Sequence, residues 1–384
     1  MKVTIVLPLR NQSALTSLLG RLYAPSGLDY RHFLSVAEFA ERFSPTVEDY
    51  QAAVEFAKAN GFTVTGTPAN RLIVPISGSV AQIKSAFHVR MNVYQHPTES
   101  RTFYSPDREP SLDRSVPVEH IAGLNNFSIP RPAVTKAPSV QGLANTSTMG
   151  SGPGGSYLAS DMRAAYYDGT TLTGNGQTVG LVEFDGYDIS DITSSFDGTA
   201  TASPNGSNYV LSYTPTKGGA TYKVPVNNVK ADVLTGAACQ FISPCSDAEE
   251  VLDIVQSIGM APGLSQVRVY IGENESSVLH SMATENIAKQ LSISWTWERD
   301  DPTTDDMIFQ EFAAQGQTVF VSSGDYGEFN PFYNNYYPAD DAWVTVVGGT
   351  ELVSNGADGS WNSETAWPNR GGGISPDRIP IPSW

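Results

Sequence analysis

The stretch QTVGLVEFDG, Gln177–Gly186, reads as a strand, an apolar and largely β-branched run bounded by polar and glycine turn signals. It is the first of five such runs. The others are SQVRVYIG (Ser265–Gly272), QLSISWTW (Gln290–Trp297), QTVFVSSGD (Gln317–Asp325) and AWVTVVGGT (Ala342–Thr350). Short runs without strict polar alternation suit strands buried on both faces of a parallel sheet. Helical stretches lie between them, at Asp247–Met260, Ser276–Lys289 and Thr304–Gln315. Strand–helix alternation predicts a doubly wound parallel α/β sheet. Ligands of such sheets sit beyond the carboxyl ends of the strands. That rule singles out Glu183, Trp295 and Asp325.

Upstream the rhythm differs. KVTIVLP reads as a strand, and Pro8 makes it an edge strand. SALTSLLGRLY has the 3.6 period of an amphipathic helix. SVAEFAERF is a second helix with Ser35 and Glu38 at capping-box spacing. TVEDYQAAVEFAKANG is a third, stopped by Gly61. FTVTGTPANRLIVPISGS reads as two strands around a turn, VAQIKSAFHV as a helix, and RMNVYQH and RTFYSP as strands. This is the pattern of an α+β module. The Pro-, Gly-, Ser- and Thr-rich stretch that follows reads as a flexible, cleavable linker. The expected organisation is a first module over 1–132, a linker over 133–156 and a second module over 157–384.

The 384 residues carry 40 acidic and 23 basic side chains, a formal charge of −17. A phosphate backbone would be repelled, so a nucleic-acid partner is not expected. No apolar run reaches the roughly 20 residues of a membrane span, and the N-terminal run is too short for a signal-peptide core. The charge is uneven: about +2 through Pro132 and −19 after it. Four of the five histidines, His32, His88, His96 and His120, lie in the first module. Such a split predicts a pairing of modules that acid weakens. Cys239 and Cys245 stand six apart without a Cys-x-x-Cys or clustered histidines, so zinc is not expected. A local disulfide, favouring an oxidising compartment, and two free thiols both remain open.

A histidine-based triad is excluded on composition, since His280 is the second module's one histidine and lies in a helical stretch. Asp185 in VEFDG has no His-Gly-x-His after it. Neither a Walker Gly-Lys-Ser/Thr nor a dinucleotide Gly-x-Gly-x-x-Gly occurs. What remains is the helix SDAEEVLDIVQSIGM. At about 100° per residue Glu249, Asp253 and Gln256 share one face, opposite Val251, Leu252, Ile254, Val255 and Ile258. Ser246 would be the N-cap and Glu249 its capping-box partner. Taken alone, the pair reads as a solvated face, with an acid–base pair as the other reading. Asp325 in Gly-Asp-Tyr-Gly likewise reads alone as a turn residue.

Together these stretches resemble the sedolisin, or serine-carboxyl peptidase, family, in particular its kumamolisin-like precursors. YRHFLSVAEFAERFSPT resembles the family's propeptide. NGQTVGLVEFDGYD, EEVLDI with MAPGLSQVRVY, LSISW, VSSGDYG, YPADDAWVTVVGGT and GGGISPDRIPIPSW resemble its peptidase domain in order and spacing. The resemblance implies a subtilisin-like sheet after a ferredoxin-like propeptide. It also implies proteolysis of protein or peptide substrates at acid pH, secretion, and a propeptide that acts within the same chain. It makes Glu249 and Asp253 the carboxylates that assist a serine, although Glu250 is a neighbour, and makes Asp325 the oxyanion-hole residue. Glu183 and Trp295 extend the acid network. To donate to an oxyanion Asp325 must be protonated. The family's serine lies in a Ser-Gly-Thr-Ser motif downstream of PSW, and its calcium ligands are aspartates near the C-terminus. This chain ends at Trp384 before both, so no nucleophile and no metal ligand set is expected within it. Two functions are then expected in turn: an acid endopeptidase precursor, or a non-catalytic product whose propeptide binds and inhibits related peptidases.

Overall fold

The computed structural model describes residues 1–112, 116–134, 149–167, 172–217, 219–231, 247–298, 302–325, 327–329, 336–368 and 371–379. Cys239, Cys245 and most of the predicted linker lie outside these residues.

The first module contains β1 (Lys2–Val6), α1 (Gln12–Leu22), α2 (Val36–Arg42), α3 (Val47–Ala59), β2 (Thr63–Val64), β3 (Ile73–Ser77), α4 (Val80–Phe87), β4 (Met91–Gln95), β5 (Thr102–Pro106) and β6 (His120–Ala122). Its main sheet has the order β2-β3-β1-β6 with every pair antiparallel, the ferredoxin-like arrangement. β4 and β5 form a separate hairpin. Local chemistry accounts for the helices. Ser35/Glu38 and Ser79/Gln82 close capping boxes on α2 and α4, Thr46 caps α3, and Gly61 takes a φ of +79° just after α3. β1 alternates faces. Val3, Ile5 and Leu7 enter a core with Val54, Phe62 and Phe87, whereas Val6 enters a second core. The edge-strand expectation for β1 does not hold, because β1 pairs on both sides and Pro8 falls beyond its end.

Next come β7 (Arg131–Pro132), α5 (Ala159–Tyr167), β8 (Thr178–Glu183), α6 (Ile189–Ser194), β9 (Gly198–Asn205), β10 (Asn208–Pro215), β11 (Tyr222–Lys230), α7 (Ala248–Met260), β12 (Gln266–Ile271), α8 (Glu275–Glu285), β13 (Gln290–Ile293), β14 (Trp295–Thr296), α9 (Pro302–Gln315), β15 (Thr318–Ser322), β16 (Thr345–Val347), β17 (Thr350–Ser354) and β18 (Trp361–Ala366). Eight strands form one sheet in the order β16-β15-β13-β8-β12-β11-β10-β9. The strands from β16 to β11 are parallel. The sheet is thus doubly wound as expected, but not wholly parallel: β10 and β9 extend it antiparallel as hairpin strands. Neighbouring residues of β8 serve opposite faces. Leu181 packs with Ile254 and Ile258 of α7, and Val182 packs with helices α8 and α9 through Met282, Ile308 and Phe312. Helix α8 is shorter than predicted, because Asn286 turns left-handed at φ 48° and leads into β13.

The second core of the first module is shared between modules. Leu15, Leu19, Phe39 and Phe43 pack with Met307, Ala313 and Ala314 of α9. The Leu34 N–H and the Tyr23 hydroxyl donate to the carbonyls of Ala314 and Ala313, both at 2.9 Å.

Candidate functional site

The predicted N-cap of α7 shifts by one residue. Asp247 stands there and makes no side-chain cap; its carboxylate accepts instead from the N–H of Asp188 at 2.9 Å. The solvated-face reading of the helix also fails. Glu249 is 5% exposed and Glu250 0%, whereas Leu252, expected on the apolar side, is 45% exposed. The reason lies in the i, i+4 stripes. Glu250, Ile254 and Ile258 form one buried row, so packing the two isoleucines on the sheet carries the first turn inward. The acids of that turn come to rest at the carboxyl ends of the strands.

There they meet Glu183, the last residue of β8, and Ser294 and Trp295, which follow β13. The Trp295 indole N–H donates to Glu183 Oε2 at 2.9 Å. Glu183 Oε1 and Asp253 Oδ2 are both buried without a hydrogen-bond partner, and the two carboxyls act on each other's titration. A single proton between them satisfies both oxygens. Asp253 Oδ1 accepts from the Ser294 hydroxyl at 2.8 Å. Glu249 stands beside Asp253, Ser294 and Asp325, all of which act on its titration.

Burial governs this cluster, because desolvation disfavours each charged form. It pushes Glu249 up to about 7, with the Asp253 charge adding to the rise. Burial also raises Asp253, while its bonds to Ser294 and Glu183 oppose the rise. Glu183 lies well above the usual carboxylate range, from burial first and then the charge of Asp253. Both carboxyls are raised, so the pair titrates as a unit and retains a proton above the ordinary carboxylate range. Glu250 is raised by burial too, and both its oxygens lack a hydrogen-bond partner.

The line of polar groups ends at a peptide. Residues Arg131 and Pro132 pair antiparallel with Thr296 and Trp295. The Ala133 N–H donates to the Ser294 carbonyl at 2.8 Å, and the Asp325 backbone N–H donates to the Ala133 carbonyl at 3.0 Å. Glu183, Glu249, Asp253, Trp295 and Asp325, all picked out in the sequence, are thus gathered around one cleft. Ser294 was not singled out. The signal was available, since it lies at a strand end inside LSISW, but a lone serine beside a tryptophan carries no pattern of its own. His280 is fully buried, and burial depresses it to about 3, so it stays neutral.

Among the described residues no group of three or more His, Cys, Asp or Glu side chains is placed to hold a metal ion. Nor is any helix among them long and apolar enough to cross a membrane.

Comparison with known proteins gives a consistent result. The pro-kumamolisin activation domain matches residues 1–127. Xanthomonalisin from Xanthomonas sp. (strain T-22) is 26% identical over 98% of this chain and 48% of its own length. Sedolisin from Pseudomonas sp. (strain 101) is 25% identical over 95% of this chain and 62% of its own. A solved Pseudomonas sedolisin, described as a serine-carboxyl proteinase complexed with two molecules of pseudo-iodotyrostatin, aligns at 23% identity and a TM-score of 0.41, covering 55% of this chain and 58% of that one. The chain spans about half to three fifths of the length of the curated relatives it matches. The activation-domain match lies at the start of the chain, and similarity to these sedolisin-type peptidases runs along nearly all its length.

Proposed function

We propose that this chain carries the propeptide and the carboxylate machinery of a secreted, acid-acting serine-carboxyl endopeptidase. One observation carries the reading: the run of side chains from Trp295 through Glu183, Asp253, Ser294 and Glu249 ends at a peptide carbonyl held by the Asp325 N–H. In this reading Glu249 is the general base for a serine hydroxyl. Its elevated pKa makes the ionised carboxylate a better base than it is in water, against a smaller ionised fraction in acid. Asp253 and Glu183 hold the proton next to it, and Trp295 fixes Glu183. Asp325 polarises the carbonyl. The serine and the calcium ligands implied by the family resemblance fall beyond Trp384, so no step is assigned to the metal.

The test is a peptide-hydrolysis assay between pH 3 and 7 on the product of the coding sequence read beyond Trp384 through a Ser-Gly-Thr-Ser motif. Glu249→Gln is expected to lower kcat by roughly 10²–10⁴, the usual contribution of a general base. The Asp325 N–H survives Asp325→Ala, so a fall of roughly 10²–10³ in that variant would assign an oxyanion contact to its carboxyl as well. Unchanged turnover in Glu249→Gln would refute the reading.

A further inference from the structure

The segment between the modules is seated at both ends. On the first-module side, the Arg101 guanidinium donates to the Asn126 carbonyl at 2.8 Å and pairs with Glu99 at 2.6 Å. The other oxygen of Glu99 lies 2.6 Å from the Arg131 guanidinium. Both Glu99 and Arg101 belong to the tip of the β4–β5 hairpin. On the second-module side, the Glu298 N–H donates to Ser128 Oγ at 3.0 Å, and Arg131–Ala133 pair with the edge formed by Ser294–Thr296. Ala133 is buried, and Val134 emerges 41% exposed.

We propose that Ala133–Val134 is the first peptide bond this site cuts, and that Glu99, by gripping Arg131 from the propeptide hairpin, is the positioning residue that fixes this bond in register. The proposal rests on the peptidase reading above. It is carried by geometry. The Ala133 carbonyl accepts from the Asp325 N–H beside Glu249. The C–N bond of that carbonyl leads to Val134.

Two features oppose a slip of the strand. Moving it by one residue so that Pro132 faces Ser294 leaves the Ser294 carbonyl without a donor, because proline has no N–H. Moving it the other way displaces the backbone by about 3.3 Å. That is more than the 2.6 Å Arg131–Glu99 pair can absorb without breaking. The chemistry balances with one serine hydroxyl and one water. The serine oxygen bonds to the Ala133 carbonyl carbon and its proton passes to Glu249. The Val134 nitrogen takes that proton as the C–N bond breaks. Water then releases the Ala133 carboxyl group and restores the serine hydroxyl.

Two measurements test this. Hydrogen exchange on the 384-residue chain needs no catalysis. The Ala133 and Asp325 amides are expected to exchange at least tenfold more slowly than unstructured amides. Glu99→Ala is expected to lower the Ala133 protection by up to about fivefold and leave α3 unchanged. An unprotected Ala133 in the unsubstituted chain, or protection indifferent to Glu99→Ala, overturns the proposal. The second measurement uses the longer, serine-bearing precursor, with intact mass and N-terminal sequencing of its first acid product. Val134 is the expected new N-terminus. Glu99→Ala is expected to scatter the cut, and the swap Glu99→Arg with Arg131→Glu to restore it. A precursor that hydrolyses an added peptide but first cuts itself elsewhere refutes the proposal and leaves the peptidase reading intact. A precursor that cuts neither itself nor the added peptide refutes both.

Discussion

Glu311 of α9 gives the sharpest pH prediction. Its side chain is 0% exposed at the seam between modules. Oε2 accepts from Asn70 Nδ2 of the first module at 2.8 Å, and Oε1 from Gln315 Nε2 at 2.7 Å. The partner oxygens, Asn70 Oδ1 and Gln315 Oε1, are buried without a donor. A neutral Glu311 supplies one O–H, which one of these two oxygens can accept once its amide is turned. Burial pushes Glu311 up to about 8. The folded pKa is therefore above the unfolded one. Stability from this group is complete below about pH 4.5 and is lost as pH rises through 8. With an unfolded pKa near 4.5 and a folded pKa near 8, raising the pH from 4 to 7 removes about 3 kcal/mol. Glu311→Gln keeps the shape and does not titrate. Urea unfolding of both proteins at pH 4 and pH 7 isolates the term from every other carboxylate. The unsubstituted chain is expected to lose about 3 kcal/mol more than the variant over that interval. A stability difference that does not change with pH would refute the assignment of a neutral Glu311.

Two further perturbations follow from the same regions. Gly316 has φ +69°, and a Cβ built there would stand 2.4 Å from the Phe33 ring. Gly316→Ala is expected to cost about 2–4 kcal/mol in thermal or urea unfolding, and Phe33→Leu in the same chain to recover the steric part only. In the cleft, the Asp253 charge is the second cause of the raised Glu249 pKa. Asp253→Asn is expected to bring Glu249 down from about 7 toward the ordinary carboxylate range, read by carboxyl NMR titration; an unmoved Glu249 would separate the two groups.

Much of the architecture was legible because it depends on period and punctuation. The five apolar runs locate five of the six parallel strands, from the edge strand β16 to β12, and miss β11, while Ser35/Glu38 and Gly61 mark helix ends that the structure keeps. The hairpin strands β9 and β10 were not legible. Their sequences, GTATASPN and NYVLSYTP, mix small, polar and apolar residues because only part of each is covered. The edge reading of KVTIVLP failed because proline marks an edge only when it lies inside the ladder, and Pro8 lies beyond it. The wet-face reading of Glu249 and Asp253 failed for a different reason. Helical periodicity says which residues share a face, not which face is buried. Once Ile254 and Ile258 dock on the sheet, Glu250 follows them inward and Leu252 is turned out. Of the candidate residues, Glu183, Trp295 and Asp325 were found by their place at strand ends, a rule of topology, whereas Glu249 and Asp253 of α7 were singled out by the family resemblance. Ser294, at the same strand end, escaped because its role depends on which way one hydroxyl points.

The charge split of +2 and −19 invites the view that acid loosens the modules. The contacts argue for the opposite sign. Charges separated by more than the roughly 8 Å Debye length are largely screened at physiological salt, so the bulk asymmetry reaches the seam only through close pairs. Lys2–Glu273 is such a pair, at 3.9 Å, but both side chains are well exposed and a surface pair contributes about 0–1 kcal/mol. Against it stands the buried Glu311, whose roughly 3 kcal/mol runs in favour of acid. The cleft carboxyls Glu183, Glu249, Glu250 and Asp253 are raised by burial as well, so they too favour the folded form in acid. Acid therefore tightens both the seam and the cleft.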